Sequence, residues 1–414
     1  MLTIAYVLSA LQLLALASPS PAPSSIGVKR VSLTRRQAHN STAPADIQRI
    51  TQRIGSTLAK YDVGFDSFSK NSGKPHPLSN NDASNITKRA EGTAYLSPDD
   101  NALWTGVMCA GTPLSPFIVG FDTGSASLLL VSSTCTSSDC QGQRLYNPSD
   151  SSTSVDRKQK FNLKVTDSET VTGNQYADTV RVAGLEATDQ VLGAASSYPK
   201  NFNTYSFRPD GRMGMAYQSI SAYKAPSFPQ NLVSQGVTTE PVFAFRMGTG
   251  CELNIGGLDH SAYTGDLVYT PVTTKGFWQV NLDAVQANNK RSVGRVSAII
   301  DTGSPLIIGD RQNVDKLYAT IPGSRALSNG LYSVPCDSIP TVRITVSGSA
   351  FDINPDLFNQ GPVSEGSSQC VGGIVSGPQS KPPQRFWSIG DVFLQNVYSV
   401  FDVGNNRVGF GRLV

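Results

Sequence analysis

Histidine is the scarcest catalytic side chain here. The 414 residues contain three, and His39 and His76 both fall in the first quarter, which leaves His260 alone in the rest. A Ser-His-Asp or Cys-His mechanism in the later part would have to run through that one ring. Its surroundings, GGLDHSAYTG, are a polar turn of the kind that leaves a histidine in solvent. Zinc-ligand spacing is missing as well, with no CxxC or paired-histidine pattern, so neither a metal nor a cofactor is expected. GxSxG, P-loop and HExxH motifs are absent, as is a GxGxxG between strand and helix. An excess of one charge is lacking too: 34 Lys and Arg stand against 31 Asp and Glu, a formal +3. That balance excludes the basic face of a nucleic-acid binder.

Long apolar runs are confined to residues 1–17, MLTIAYVLSALQLLALA, which carry no charge and end in Ala15-Leu16-Ala17. The run is short for a bilayer span and closes on a small-x-small site, so it reads as a cleaved signal peptide. The final GNNRVGFGRLV has no apolar tail, so no membrane anchor is expected in the mature form. What the chain does have is 37 Gly and 25 Pro with 39% hydrophobic residues, a turn-rich composition at a length that predicts two domains or one large bilobal one.

The net charge conceals a split. Residues 18–89 hold eleven Lys and Arg against four Asp and Glu, a net +7, and the chain beyond them carries −4. The segment ends in Lys88-Arg89, a dibasic pair suited to a processing protease, and contains the glycosylation sequons at Asn40 and Asn85. Signal, basic segment and dibasic pair in that order predict a removable propeptide over 18–89. All six cysteines follow it: 109, 135, 140, 251, 336 and 370. An even count in a secreted chain points to disulfides. Cys135 and Cys140 enclose a short turn-rich loop, Cys336 and Cys370 suit a longer one, and Cys109 and Cys251 are either a third bridge or two buried thiols.

With histidine and metal set aside, carboxylates are the remaining acid/base machinery. FIVGF runs into Asp122-Thr123-Gly124-Ser125, and VSAII runs into Asp301-Thr302-Gly303-Ser304, 179 residues later. A second element repeats as well, with Gly214 lying 92 residues after Asp122 and Gly390 lying 89 after Asp301. Two agreeing spacings in strand context predict an internal duplication at domain scale. Asp on a tight turn is held rigidly, Gly lets the backbone bend closely around it, and nearby Thr and Ser hydroxyls can orient the carboxylate. If the halves meet face to face, the two carboxylates cannot both ionise easily and share a proton. The ionised one can then deprotonate a water while the protonated one polarises an amide carbonyl, which predicts an acidic pH optimum.

From about Ala94 onward the chain resembles the pepsin-like aspartic peptidases of family A1, of a fungal secreted type. The resemblance rests on GTP at 111–113, FDTGS, YNPSDSSTS, DGRMGMAY at 210–217, NIGGLD, YTGDL, GFWQVNLD, IIDTGS and WSIGDVFLQNVYSVFD. It implies an all-β bilobal fold, with an N-terminal lobe over 90–260 and a C-terminal lobe over 261–414 related by a pseudo-twofold. It also implies a central cleft for protein or peptide substrates, covered by a β-hairpin flap. Catalytic roles are implied for Asp122 and Asp301. Thr123, Gly124, Ser125, Thr302, Gly303 and Ser304 would orient the carboxylates, and Cys135–Cys140 and Cys336–Cys370 would pair. A secreted monomer is expected, with a vacuole- or lysosome-like compartment as the alternative.

Departures from the family fall on the substrate side. Thr166, followed by Asp167 and Ser168, stands where the flap tyrosine is expected, and Leu129 stands where its tryptophan partner is. Arg212 and Ser388 replace apolar residues that line substrate pockets in relatives, and Phe277 lies in the matching GFWQ element. Arg212 predicts tolerance of acidic or polar side chains at P1, the residue before the scissile bond. Loss of the tyrosine–tryptophan pair keeps open a catalytically weak or silent binding protein of the same fold. A carbohydrate-binding or structural β-protein would leave the duplicated Asp turns unexplained. Lys60-Tyr61 resembles the family's propeptide Lys-Tyr element, which blocks the two carboxylates, making the propeptide the enzyme's own inhibitor.

Overall fold

A computed structural model describes residues 28–34, 42–79, 104–164, 170–198, 209–377 and 384–414. The signal stretch, the sequon asparagines Asn40 and Asn85, Lys88, Arg89 and the flap residues Thr166, Asp167 and Ser168 lie outside the described residues.

The chain opens with β1 (Lys29–Ser32) and the 26-residue helix α1 (Ile47–Ser72). Asp46 caps the helix N-terminus by accepting from the Arg49 N–H, and Gly73 closes it in the left-handed conformation, φ 72°. Ile50, Ile54, Thr57, Tyr61, Gly64 and Phe65 recur at helical spacing and form the buried face. β2 (Thr105–Ala110), β3 (Ser115–Asp122), β4 (Leu128–Val131), β5 (Val155–Lys164), β6 (Thr170–Val182), β7 (Leu185–Ser197) and β8 (Gly211–Gly214) follow. They pair in the order β2-β3-β8-β4-β7-β6-β5, and β2 also pairs with β6. That second pairing closes six strands into a barrel and leaves β5 as an outer arm. β5 and β6 form a long antiparallel hairpin whose last described pair is Lys164 with Thr170.

After α2 (Phe228–Ser234) come β9 (Val242–Arg246), β10 (Glu252–Ile255) and β11 (Tyr263–Pro271). The second half contains β12 (Thr274–Lys275), β13 (Trp278–Leu282), β14 (Ala284–Ala287), β15 (Lys290–Val293), β16 (Val296–Ile300) and β17 (Ile307–Gly309). Then follow α3 (Arg311–Tyr318), β18 (Arg325–Ala326), β19 (Tyr332–Pro335), β20 (Val342–Val346), β21 (Ser349–Ile353), α4 (Pro355–Phe358) and β22 (Asn359–Pro362). The chain ends through β23 (Gln369–Gly372), β24 (Ile374–Ser376), β25 (Trp387–Ile389), α5 (Asp391–Leu394), β26 (Val397–Asp402) and β27 (Arg407–Leu413). One sheet runs β12-β13-β16-β25-β17-β24, with smaller sheets β15-β14-β20-β21 and β18-β19-β23-β22 beside it.

The duplication expected from the two DTGS turns is present in the pairing. β3 runs parallel to β8, β8 antiparallel to β4, and β4 parallel to β7. In the second half β16 runs parallel to β25, β25 antiparallel to β17, and β17 parallel to β24. The fold is all-β and bilobal, and a six-stranded sheet, β1-β10-β9-β26-β27-β11, draws strands from both halves. β1 forms one edge of that sheet, so the N-terminal segment is part of the platform joining the lobes. Cys135 pairs with Cys140 and Cys336 with Cys370, as the resemblance implied. Cys109 and Cys251 are separate thiols, and the Cys251 thiol donates to the Leu33 carbonyl at 2.8 Å.

Candidate active site

Strands β3 and β16 end at the same place and deliver Asp122 and Asp301 there, neither with any solvent exposure. Within each loop one backbone amide points back at the carboxylate: Gly124 N–H donates to Asp122 Oδ1 at 2.9 Å, and Gly303 N–H donates to Asp301 Oδ1 at 2.8 Å. Both glycines are required by close approach. A Cβ on Gly124 would sit 2.4 Å from Asp301 Oδ1, and one on Gly303 2.4 Å from Asp122 Oδ1. Each loop therefore leaves room for the other lobe's carboxylate.

Thr123 and Thr302 do a different job from the one expected of them. Their hydroxyls do not touch the carboxylates. Thr123 Oγ1 accepts from Thr302 N–H at 3.0 Å and donates to the Ile300 carbonyl at 2.9 Å. Thr302 Oγ1 accepts from Thr123 N–H at 3.0 Å and donates to the Phe121 carbonyl at 2.8 Å. The exchange is reciprocal across the lobes, each hydroxyl bonding the opposite backbone. The serines also diverge. Ser125 donates to Asp122 Oδ2 at 2.8 Å, whereas Ser304 turns away and donates to the Leu306 carbonyl at 3.1 Å. Carboxylate orientation thus falls to Gly124, Ser125 and Gly303.

The position Ser304 leaves open is filled from α1. Tyr61 donates its phenol hydrogen to Asp301 Oδ2 at 2.5 Å, and Ser388, fully buried, donates to the phenol oxygen at 2.6 Å. One residue earlier, Lys60 Nζ lies 2.8 Å from Asp122 Oδ1 and 2.9 Å from Asp301 Oδ1. A single ammonium therefore bridges both carboxylates in the space between them. Ser388 reads in sequence as a pocket residue, and here it supports the tyrosine that occupies the cleft. Phe277 is buried against the same helix, edge-on to Tyr61 and Phe65 with ring centroids 5.4 and 5.2 Å away.

Arg212 enters from β8, beside β3, and its Nη1 stands 3.8 Å from Asp122 Oδ2 with the side chain about a third exposed. It faces the carboxylates rather than the outer surface. Leu129, on the neighbouring β4 opposite Arg212, is half-buried and packs with Phe161, Val171 and Tyr223 under the hairpin. Two buried tryptophans that sequence reasoning passed over brace the loops. Trp104 Nε1–H donates to Asp391 and Trp278 Nε1–H to the Met215 carbonyl, both at 3.1 Å. Their partners lie 287 and 63 residues away, so no local pattern marks them. His260 is exposed, and among the described residues its hydrogen bond is to Tyr263 rather than to a serine, cysteine or carboxylate.

Electrostatics separate the two acids. Burial pushes the Asp122 carboxyl up, but the Lys60 charge and then the Arg212 charge outweigh it and hold the group well below the usual carboxylate range. At Asp301 burial prevails; with the nearby Asp122 charge it keeps the carboxyl raised despite Lys60. One member is thus set to be the anion and the other the proton carrier.

The model of the eukaryotic aspartyl protease family matches residues 104–413. The chain belongs to that family. This protease is 40% identical over 340 residues to an aspartic protease of Phaffia rhodozyma, covering 79% of this chain and 81% of the relative. It is 34% identical to gastricsin of Mus musculus, over 78% of this chain and 83% of the relative. Pepsin A of Sus scrofa is 32% identical over 80% and 87%. The protease is an aspartic-type endopeptidase, a hydrolase of the pepsin-like type, and the silent binding-protein alternative gains no support from these relatives. The fungal assignment accords with the Phaffia relative.

The reciprocal threonines give a quantitative expectation. Thr123→Val, nearly isosteric, strands the buried Thr302 N–H and the Ile300 carbonyl, and should lower stability by about 2–4 kcal/mol. Thr302→Val should cost the same, and the double variant clearly less than the sum because both remove one network. Denaturant midpoints of the three variants check this; a single-variant loss below about 0.5 kcal/mol, the level of an ordinary surface change, would refute it.

Proposed function

We propose that this chain is the zymogen of a secreted, acid-acting aspartic endopeptidase. Residues 1–17 act as a removable leader, residues 18–89 are a propeptide released at Lys88-Arg89, and the mature body divides into lobes near residue 260. The observation that carries the proposal is Lys60 Nζ at 2.8 and 2.9 Å from the two carboxylates, in the space where a catalytic water would have to sit. The same segment engages both lobes. β1 pairs with β10, Asn71 donates to the Ser219 and Ser221 carbonyls, and Ala45 N–H donates to the Pro362 carbonyl. A +7 segment against a −4 body fits the part of an inhibitor held by charge.

Once the segment leaves, Asp122 takes a proton from the water between the carboxylates while Asp301, protonated, donates to the scissile carbonyl oxygen. Attack gives a tetrahedral diol with no covalent enzyme intermediate, and proton return to the amide nitrogen completes cleavage. Gly124, Ser125 and Gly303 hold the carboxyl planes, and the β5–β6 hairpin closes over the substrate without the usual tyrosine–tryptophan contact. The mature enzyme acts as a monomer on protein or peptide substrates, outside the cell or in a vacuole-like compartment.

Two arms test the catalytic part and the latency. Acid digestion of a denatured protein should be abolished by a pepstatin-type inhibitor, and Asp301→Asn should lower kcat by about 100-fold or more, the scale of a lost general acid. A variant retaining near-wild-type kcat would sink the mechanism. Lys60→Ala should make the full-length protein cleave a fluorogenic peptide before processing, at a pH where the wild type is silent; unchanged latency would remove Lys60 from the proposal.

Arg212 bears on specificity. Its guanidinium lies beside the catalytic carboxylate, so a substrate side chain next to the scissile bond meets a fixed cation. The mature enzyme should accept Glu or Asp at P1, and Arg212→Leu should cut kcat/KM for such peptides by about 10- to 100-fold relative to Leu at P1, as expected for a lost charged hydrogen bond. A peptide library in which the wild type strictly demands large apolar P1 residues would refute this.

A further inference from the structure

Beyond its capping glycine, the chain after α1 turns back and buries His76 against the body. The ring is 1% exposed and packed among Phe65, Phe68 and Phe277, with ring centroids 5.1, 4.8 and 5.6 Å away. Phe277 belongs to the body, so this aromatic box straddles the contact between the N-terminal segment and the enzyme. The body is shaped for the ring: a Cβ on Gly276 would lie 3.1 Å from both Cδ2 and Nε2.

Hydrogen bonding fixes the ring's protonation. Leu78 N–H donates to Nδ1 at 3.2 Å, so the hydrogen of the neutral imidazole sits on Nε2, which is buried and has no partner among the described residues. A second proton has only Nδ1 to go to. There it would face the Leu78 N–H, removing an accepted hydrogen bond and opposing two donors, and it would place a charge in an apolar box. Among the described residues no carboxylate answers that charge. α1 presents Phe65 and Phe68, the β12–β13 turn presents Gly276 and Phe277, and the histidine's own loop presents Leu78. The ionisable residues nearby on these elements, Asp66, Lys70, Lys74 and Lys275, are exposed, and burial alone accounts for the ring's behaviour.

We propose that His76 is an acid sensor of the propeptide: the segment docks with the ring neutral, and protonation of the ring drives it off the cleft. This rests on reading residues 18–89 as a removable inhibitor. Burial lowers the docked ring from 6.5 to about 4. Between those values the detached segment binds a proton that the docked one does not. Docking is therefore unaffected well above pH 6.5, weakens as pH falls through the window, and levels off below pH 4 after a total loss of about 300-fold. The Lys60–Asp122 pair behaves differently, since Asp122 is held ionised well below the usual carboxylate range and the pair persists through mild acid. Arg30, paired with Asp259 at 3.1 Å and near Glu252 at 3.8 Å, is a further charged contact of the segment, and its partners are carboxylates rather than a histidine.

The test uses the full-length protein, incubated between pH 7 and pH 3, with appearance of peptidase activity and of the processed chain as readouts. His76→Phe keeps an aromatic occupant that cannot titrate. It should stay latent at pH 7, convert at least tenfold more slowly between pH 4 and 5, and shift the conversion midpoint down by about one pH unit, while the processed enzyme keeps its pH–activity profile. A latent variant with an unchanged midpoint and rate overturns the histidine proposal and leaves the zymogen reading standing. A wild type already active at pH 7 without conversion overturns both. Should His76→Phe fail to dock, the native ring is followed directly by imidazole carbon NMR in full-length Asp301→Asn, which does not process itself. His76 staying neutral until the segment detaches supports the proposal; titration near 6.5 with the segment still docked overturns it.

Discussion

Two carboxylic acids with no solvent exposure are brought together at the joint of two lobes, and the rest of the molecule is organised around the cost of that meeting. Like charges in a buried site repel and are poorly solvated, so the pair needs donors, a shared proton or a counter-charge. The chain supplies donors from its own loops through Gly124, Ser125 and Gly303. It supplies counter-charge through Lys60 and Arg212. Geometry comes from the threonines, which tie each loop to the other lobe's backbone instead of to a carboxylate.

Lys60 and Arg212 are cations of different standing. Lys60 reaches the site from a helix whose contacts with the body are spread along its length, so its charge is present only while that helix is docked. Arg212 is built into β8, inside the barrel sheet, and stays. On the proposed zymogen reading, Asp122 would keep an electrostatic neighbour after the helix leaves that Asp301 lacks, and the acids would remain unequal.

Much of this was legible in the sequence, for identifiable reasons. The DTGS turns stand out because a strand ending in a tight turn is local, and the repeat of both turn and spacing points to the duplication, while the parallel β3–β8 and β16–β25 pairs appear only in the structure. Lys60 and Tyr61 came through only by resemblance, since nothing in AKYD says that its lysine meets Asp301, 241 residues away. Ser304 was misjudged because the two loops are alike in sequence but not in company: Tyr61 occupies the oxygen its hydroxyl would have taken. The direction of Arg212 depended on which strand lies beside β8, and the fate of Cys109 and Cys251 on distances no spacing encodes. Nothing in the sequence marks His76 beyond its place in the basic segment, because its box is closed by Phe277 from the body.

The threonine exchange has a consequence for how the site is divided. Thr123 binds the backbone at Thr302 and Ile300, and Thr302 returns the same bonds to Thr123 and Phe121. That is an isologous contact, the pattern two identical subunits make about a twofold axis, here contained in one chain. A joint of this kind cannot by itself tell one half from the other. Any distinction between the two carboxyls must be written in the periphery, by a serine that faces its carboxylate in one half and turns away in the other, and by an arginine beside Asp122. Symmetry builds the joint; its breaking in the surrounding side chains sets the two carboxyls apart.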